Sequence, residues 1–329
     1  MRAHRYGAES LTVLATVPEA HQRVLTAALR APSAHNAQPW RIRPRPGGSY
    51  ELHYDHHEYL PADPEDRDAY LCMGTFCETL ALAARRDGLA ADIELVLDRD
   101  GADLHVADVT LRKADGTDPL AGQLAGRATN RTTYTAEPLP AGLTAGLEAL
   151  GCVLVPSGRV ARIVRRASEL SWRDRRFVAD LDAWVRPDPA SPDGMTPRQL
   201  GLAAYEWVAL RAAFRLRRLP SWLARTYSAR DVRLLGDAPA VAVLCAASDR
   251  PADLVEAGRR LLRTWVTICG AGFGYHPISI AIDRPETRPQ IAALAGTAGT
   301  PVALFRIGRP TGPAGESNRV ALADVILPR

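Results

Sequence analysis

The sequence predicts an α+β protein built from two antiparallel sheets wrapped by helices, and three observations carry that prediction. Pro239–Ala247 is a continuous apolar run, the pattern of a central buried strand, and Pro301–Ile307 reads as another buried strand. The segments 91–97 and 104–112 are strand-like and joined by the turn Asp98-Arg99-Asp100-Gly101, a hairpin signal. Two long segments, 69–88 and 253–272, are each helical in period, apolar on one face, closed by a glycine and followed by an extended stretch. That repetition is an internal echo: two similar halves in one chain would bury a helix face against each other.

The elements follow in order. A helix is expected over 17–30, started by a capping box in Thr16-Val17-Pro18-Glu19, with Val24, Leu25, Ala28 and Leu29 as its apolar stripe. Ala31-Pro32 ends it, because the residue before a proline is pushed out of helical geometry. Short strands at 39–44 and 50–54 flank the turn Pro46-Gly47-Gly48. A helix over 67–87 presents Met73, Phe76, Cys77, Leu80 and Ala84 on one face and stops at Gly88. A polar stretch, 113–121, then separates a half at 1–120 from a half at 121–329. Helices follow near 141–150, 158–185 and 202–217, with a proline-, aspartate- and serine-rich surface loop from Pro187 to Pro197. The helix at 252–270 faces its core with Leu254, Leu261, Leu262, Trp265, Val266 and Cys269, and residues 320–327 read as a terminal strand.

Composition excludes several function classes. At 329 residues, 47% hydrophobic and 24% charged, the chain is an ordinary globular one rather than a disordered one. No apolar run is long enough to span a bilayer, and Met1–Glu9 lacks the apolar core of a secretory signal, so a cytoplasmic protein with no membrane partner is expected. The net charge of +4 is small and dispersed and gives no ground for a nucleic-acid partner. Lys113 is the single lysine among 41 basic residues. The chain therefore has no Gly-Lys-Ser/Thr phosphate loop, and Schiff-base chemistry is not expected. The odd set Cys72, Cys77, Cys152, Cys245 and Cys269, with no Cys-x-x-Cys pair, reads as buried, reduced thiols. His53, His56 and His57 read as a solvated strand end, since a fourth metal ligand is not in view. Gly270-Ala271-Gly272-Phe273-Gly274 follows a helix rather than a strand, the wrong order for a dinucleotide fingerprint.

Three polar segments carry chemistry. In Pro32-Ser33-Ala34-His35-Asn36-Ala37-Gln38-Pro39-Trp40 the prolines hold the backbone extended, so Ser33, Asn36 and Gln38 offer donors and acceptors from a stiff loop. Such a loop suits the edge of a flat heterocycle; it is equally a helix-to-strand connection in which Asn36 bonds its own backbone. In Arg127-Ala128-Thr129-Asn130-Arg131, two arginines four apart with a threonine between them can meet one phosphate, or form a solvated basic turn. The third segment is Glu316-Ser317-Asn318-Arg319. The only asparagines of the chain, Asn36, Asn130 and Asn318, fall one in each segment.

On these residues the chain resembles the FMN-dependent nitroreductase superfamily, whose flavin-facing PSxxNxQPW motif is similar to PSAHNAQPW here. It is most similar to the Acg branch, in which two nitroreductase-like halves are fused into a dimer-mimicking monomer. The likeness continues through LPADPEDRDAYLCMGTFCETL, RATNRTTY, EAGRRLLRTWVTICGAGFGYHPIS, PVALFRIGRP and the final SNR. The resemblance implies a nitroreductase-like fold fused as a pseudo-dimer, a monomer mimicking a dimer and open to further association, acting on a small-molecule substrate. It implies one FMN per chain. Pro32, Ser33, Asn36 and Gln38 would face the ring, Arg127, Thr129, Arg131 and Arg319 would hold the phosphate, and Pro277, Ile278 and Ser279 would lie near the flavin N5 edge. The first half has no RxSxR-like start and the second no PSxxNxQPW, so the mirror site should be dead. Many nitroreductases carry an acid where Ser279 stands here, and the resemblance makes 187–236 a helical lid. Within it, Arg211, Arg215, Arg217 and Arg218 form a basic patch or a solvated face. Three functions follow: an oxidoreductase passing hydride between NAD(P)H or an organic substrate and an acceptor through FMN; an FMN-sequestering protein; or a flavin-free interaction protein.

Overall fold

The computed structural model describes residues 7–58, 60, 63, 65–100, 103–216 and 221–328. Pro61, Arg217, Arg218 and the last residue of the expected turn 98–101 lie outside them.

Helices α1 (Gly7–Leu14) and α2 (Glu19–Ala28) precede strands β1 (Trp40–Arg45) and β2 (Ser49–Asp55), helix α3 (Arg67–Arg86), and the hairpin β3 (Leu89–Asp100) and β4 (Asp103–Lys113). The four strands pair antiparallel in the order β1-β2-β4-β3. The β1–β2 turn uses Gly47 and Gly48 at φ +77° and +78°, where a side chain would be strained.

The chain continues through α4 (Ala141–Ala149), β5 (Cys152–Val155), α5 (Ser157–Arg173), α6 (Arg175–Trp184), α7 (Pro197–Leu200), α8 (Ala204–Leu216), α9 (Ser221–Gly236) and β6 (Ala240–Ala246). Then come α10 (Pro251–Gly270), β7 (Gly274–Pro277), α11 (Ile280–Asp283), α12 (Arg288–Ala295), β8 (Thr300–Gly308) and α13 (Leu322–Val325). The second sheet runs β5-β6-β8-β7, also antiparallel. Both sheets thus share one order, with α3 and α10 at the same step of each. They differ where α5–α9 replace the tight turn of the first sheet.

The equivalence extends to the contact between the halves. α3 and α10 cross at Gly74 and Gly258, each the eighth residue of a 20-residue helix. A Cβ on Gly74 would lie 2.0 Å from the Val255 carbonyl oxygen, and one on Gly258 2.2 Å from that of Leu71. The contact is reciprocal, as in a two-fold interface. Around it Trp40, Met73 and Phe76 of one half and Leu261, Leu262, Tyr275 and Phe305 of the other join a single apolar core.

Several elements differ from expectation. The capping box at Thr16 does not form: Pro18 takes the N-cap position of α2, and the Thr16 hydroxyl donates to the Val13 carbonyl at 2.7 Å, closing α1 instead. The helix expected over 158–185 breaks at Asp174, which is extended and caps α6 by accepting from the Arg176 amide. Residues 320–327 make a helical turn and a lone parallel bridge, Ile326 to Ile42. Leu322, Val325 and Ile326 are buried at the spacing of one helical turn, which overrides the strand reading. The His53 side chain is not solvated: it is buried, stacked on His105 with ring centroids 4.9 Å apart. No His/Cys/Asp/Glu group among the described residues is arranged to hold a metal.

All five cysteines are free thiols, and burial pushes Cys77 up to about 12 and Cys152 to about 11. No helix among the described residues is long and apolar enough to cross a membrane.

Glu51 supplies a prediction. Burial would push its carboxyl up, but hydrogen bonds from Arg45, His53 and Arg43 outweigh that and hold it at about 2. A depressed carboxyl stabilises the fold above its unfolded pKa and loses that contribution as pH falls through the folded value. The wild type should therefore melt higher than Glu51→Gln at pH 7, with the gap closing between about pH 4.5 and pH 2. The gap should be small, because the Arg43 and Arg45 side chains stay partly solvated. A gap of constant size across that range, read by differential scanning calorimetry, would refute the assignment.

Candidate functional site

The loop from Pro32 to Pro39 is held in an unusual backbone. His35, Asn36 and Gln38 have φ of +50°, +57° and +54°, a region that non-glycine residues occupy at a cost. The surroundings over-determine it. The Pro32 carbonyl accepts from Thr75 Oγ1 of α3 at 2.8 Å, the Ala34 amide donates to Cys72 Sγ at 3.2 Å, and the Gln38 amide donates to Ser33 Oγ at 3.0 Å. His35 Nε2 lies 3.0 Å from Asp180 Oδ2 of α6.

Arg319 joins this loop to the second half. Its NH1 donates to Asn36 Oδ1 at 3.0 Å, its Nε to the Leu29 carbonyl at 2.8 Å, and its NH2 to the Arg30 and Ala31 carbonyls at 3.3 and 3.2 Å. A cation over the carbonyls at the C-cap of α2 and just past it also favours that helix end. Arg127 is buried beside it, donating to the same Arg30 carbonyl at 2.9 Å and to the Tyr275 hydroxyl at 2.5 Å. Tyr275 is stacked flat on Trp265, centroids 4.5 Å apart. Thr129 bridges to Tyr275, and Arg131 donates to the Gln199 carbonyl at 3.2 Å.

Among the described residues none of Arg127, Arg131 and Arg319 has a carboxylate within ion-pair distance. Burial, then the charges of Arg127 and Arg30, push Arg319 down to about 9, and burial lowers Arg131. Cations left this way favour an incoming anion.

The other expected residues are placed as follows. Gln38 is 1% exposed and spends its whole amide on the framework: Nε2 donates to the Pro192 carbonyl at 2.8 Å, and Oε1 accepts from the Val320 amide at 3.1 Å. Asn130 braces its own turn, accepting from the Thr132 amide at 2.9 Å, and donates to the Gly312 carbonyl at 2.9 Å. Pro277 ends β7, and Ile278 and Ser279 lead into α11; the Ile278 amide donates to the Leu304 carbonyl at 2.7 Å. No hydrogen bond among the described residues ties these three to the 33–38 loop.

The loop read as a surface connection at 187–197 is instead seated on the site. The Gly194 amide and carbonyl both bond Asn36, at 3.1 and 3.0 Å, and Asn318 Nδ2 donates to the Pro189 and Ser191 carbonyls at 2.9 and 2.8 Å. Trp184, 1% exposed, packs against Ala37 and Leu60. α8 packs on α6, and α9 on α5, and among the described residues the hydrogen bonds from the expected lid to the loop come from Pro192 and Gly194. Arg211 lies over the Trp207 ring at 5.7 Å.

Sequence reasoning missed two groups. Asp68 and Asp283 line one cavity with Arg67, Leu71, Ile282 and Val302; burial, then neighbouring Asp68 and Asp63, raise Asp283 well above the carboxylate range. His276 and Arg306 form the second group. The lone charge inside the apolar run PVALFRI was the signal that could have flagged Arg306.

The site therefore pairs a polar, strained loop with unneutralised cations, an arrangement suited to a phosphorylated ligand. No family model matches the chain. Among curated proteins it is similar to "Putative NAD(P)H nitroreductase Rv3131" of Mycobacterium tuberculosis, 26% identical over 316 residues, covering 88% of this chain and 85% of that one. It is also similar to "Probable NAD(P)H nitroreductase PigM" of Serratia sp., 24% identical over 326 residues, covering 89% of each chain. "Uncharacterized protein Rv3127" of M. tuberculosis is 27% identical over 301 residues, covering 85% and 84%. Among solved structures, a "putative nitroreductase from anabaena variabilis" aligns with a TM-score of 0.48 at 11% identity, covering 92% of this chain and 91% of that one. The FMN-dependent nitroreductase NfnB from Mycobacterium smegmatis, in complex with NADPH, aligns with a TM-score of 0.39 at 16% identity, covering 61% and 94%. Over nearly nine-tenths of its length, then, the chain is similar in sequence to proteins named as putative or probable NAD(P)H nitroreductases.

Proposed function

We propose that this protein is an FMN-binding, nitroreductase-like oxidoreductase of the Acg type, passing hydride between NAD(P)H or an organic substrate and an acceptor. The observation that carries the reading is the junction of Arg319 with Asn36 beside Arg127, which sets cations without carboxylate partners against the polar loop. FMN suits that set by charge: Arg127, Thr129, Arg131 and Arg319 hold its phosphate, Arg319 giving up a carbonyl contact to do so, and Pro32, Ser33 and Asn36 meet its ring, Asn36 once Gly194 releases its amide. Gln38 stiffens the loop, and Pro277, Ile278 and Ser279 border the N5 edge. FMN, when bound, supplies the hydride chemistry; the chain binds and orients it and sets its polarity. The Ser33 hydroxyl already accepts from the Gln38 amide, so its proton is free to donate toward a ligand. The two halves, 1–120 and 121–329, act as a fused pseudo-dimer, and the shared strand order and reciprocal glycine crossing support that reading. The protein works in the cytoplasm on a small molecule, as a monomer mimicking a dimer, alone or in further association.

A second reading, FMN sequestration without turnover, is favoured by the 189–195 stretch that occupies Asn36 and by the absence of an acid at Ser279. The deciding measurement is an anaerobic absorbance titration of FMN-loaded protein with NADPH and then NADH. Bleaching of the visible flavin band at a turnover-like rate is the expected result. Bound flavin that stays oxidised with both nucleotides and with candidate substrates supports sequestration, and failure to bind FMN at all overturns both readings.

A further inference from the structure

Arg306 is 0% exposed in the middle of β8. Its guanidinium sits over the Tyr134 ring at 4.1 Å, and its NH1 and NH2 donate to the Leu234 and Thr132 carbonyls at 2.9 and 2.7 Å. The remaining donor, Nε, reaches His276 Nδ1 at 3.1 Å. An arginine does not give up its proton in a protein, so Nδ1 is compelled to accept. An imidazole that accepts at Nδ1 is neutral and carries its proton on Nε2. A second proton would break this bond and place a new charge in a crowded site facing Arg131 of the 127–131 segment, Arg306 of β8 and Arg230 of α9. Among the described residues Nε2 has no hydrogen-bond partner.

Arg131, whose charge disfavours protonation of the same ring, is itself underused: among the described residues it makes one hydrogen bond, to the Gln199 carbonyl, and no ion pair. Arg230, by contrast, is paired with Glu206 at 3.1 Å. The two segments lie side by side, because Thr129 bridges Tyr275 and the Asn130 amide donates to the Tyr275 carbonyl at 2.9 Å. We infer that His276, through Nε2–H, and Arg131 donate together to one anionic oxygen of the bound ligand, with Arg306 as the positioning residue that fixes the histidine as a donor. On the reading proposed above, that oxygen belongs to the FMN phosphate, and the inference rests on that reading for its ligand alone.

The test uses the full chain with 15N-labelled histidine and long-range 1H–15N correlation, the His276 signals being assigned by their loss in His276→Gln. His276 is expected to show the Nε2–H tautomer, not to titrate between about pH 5.5 and 8.5, where an unperturbed histidine would, and to shift at Nε2 when FMN or inorganic phosphate is added. By fluorescence titration, His276→Ala should weaken FMN binding about tenfold, the loss of one charge-assisted hydrogen bond. His276→Gln, whose carbonyl can accept from Arg306 while its amide donates, should stay within about threefold. An Nδ1–H tautomer, ordinary titration, or His276→Ala binding FMN as well as wild type while Arg131→Ala does not, would overturn the assignment of His276 and leave the proposed function standing. If FMN fails to bind the wild type, a phosphate-induced shift at Nε2 still supports the anion site, and no shift with either anion rejects it.

Discussion

Replacing Gly74 by valine should lower stability by about 3 kcal/mol, the upper end of what overpacking a core usually costs. The argument is steric. A Cβ at Gly74 would sit 2.0 Å from the Val255 carbonyl oxygen and 2.9 Å from the Gly258 Cα. Those are backbone atoms in the middle of a helix, so no side-chain rotation makes room; α3 and α10 must move apart. Both carry the shared core, with Met73 and Phe76 on one and Leu261 and Leu262 on the other, so parting them opens voids along the seam. Gly258→Val should cost about as much, since its Cβ meets Leu71 in the mirror arrangement. Gly74→Ala and Gly258→Ala combined should cost less than the sum of the singles, because the separation forced by one methyl accommodates the other. Gly146→Ala is the control: nothing lies within 4 Å of its Cβ, and the change should gain about 0.5–1 kcal/mol through helix propensity. Urea unfolding reads all of these. A Gly74→Val protein with the wild-type midpoint would show that the helices do not cross here.

How much of this was legible in the sequence depends on how local the cause was. The buried strands β6 and β8 and the apolar faces of α3 and α10 follow from composition over short windows, and they appear where periodicity put them. The internal echo of two glycine-ended helices pointed to a helix face buried between halves, but not to which glycines would touch. Where a polar side chain had competing partners, local reading failed: Thr16 closed α1 rather than opening α2, and Asp174 broke a helix that periodicity alone continued. The loop 32–38 was identifiable from its prolines and polar residues. Its partners were not, because Asp180, Pro192, Gly194 and Arg319 arrive from more than 140 residues away. Arg306 left a mark, a lone charge in an apolar strand, but its partner His276 did not, since the pairing of β7 with β8 decides which residue faces it.

The double variant Arg131→Ala/Arg319→Ala should lose FMN binding by a factor of at least about a hundred. Each arginine contributes a charge-assisted contact worth about 1.5–3 kcal/mol, and about 1.4 kcal/mol is a factor of ten. Two opposing consequences must be separated. Removing cations that lie buried without a carboxylate relieves a desolvation cost, which raises the stability of the ligand-free fold. Removing Arg319 also strips donors from the Leu29, Arg30 and Ala31 carbonyls at the end of α2 and from Asn36 Oδ1, which lowers it. The second effect should win at Arg319, where five acceptors, the Asn318 carbonyl included, lose a partner, and the first at Arg131, which has a single backbone acceptor. Arg131→Ala alone should therefore leave the ligand-free melting temperature unchanged or raised while weakening FMN, a combination that a purely structural arginine cannot give. Arg319→Ala alone should lower both. The FMN dissociation constant of the wild type should also rise with ionic strength, and more steeply than that of the double variant, because the interaction being screened is the one deleted. Fluorescence titration of FMN in low and high salt, beside thermal melts of the same ligand-free samples, measures all four quantities. If both single variants hold FMN as tightly as the wild type, the phosphate lies elsewhere, and the junction of Arg319 with Asn36 is a clasp between the two halves rather than part of a ligand site.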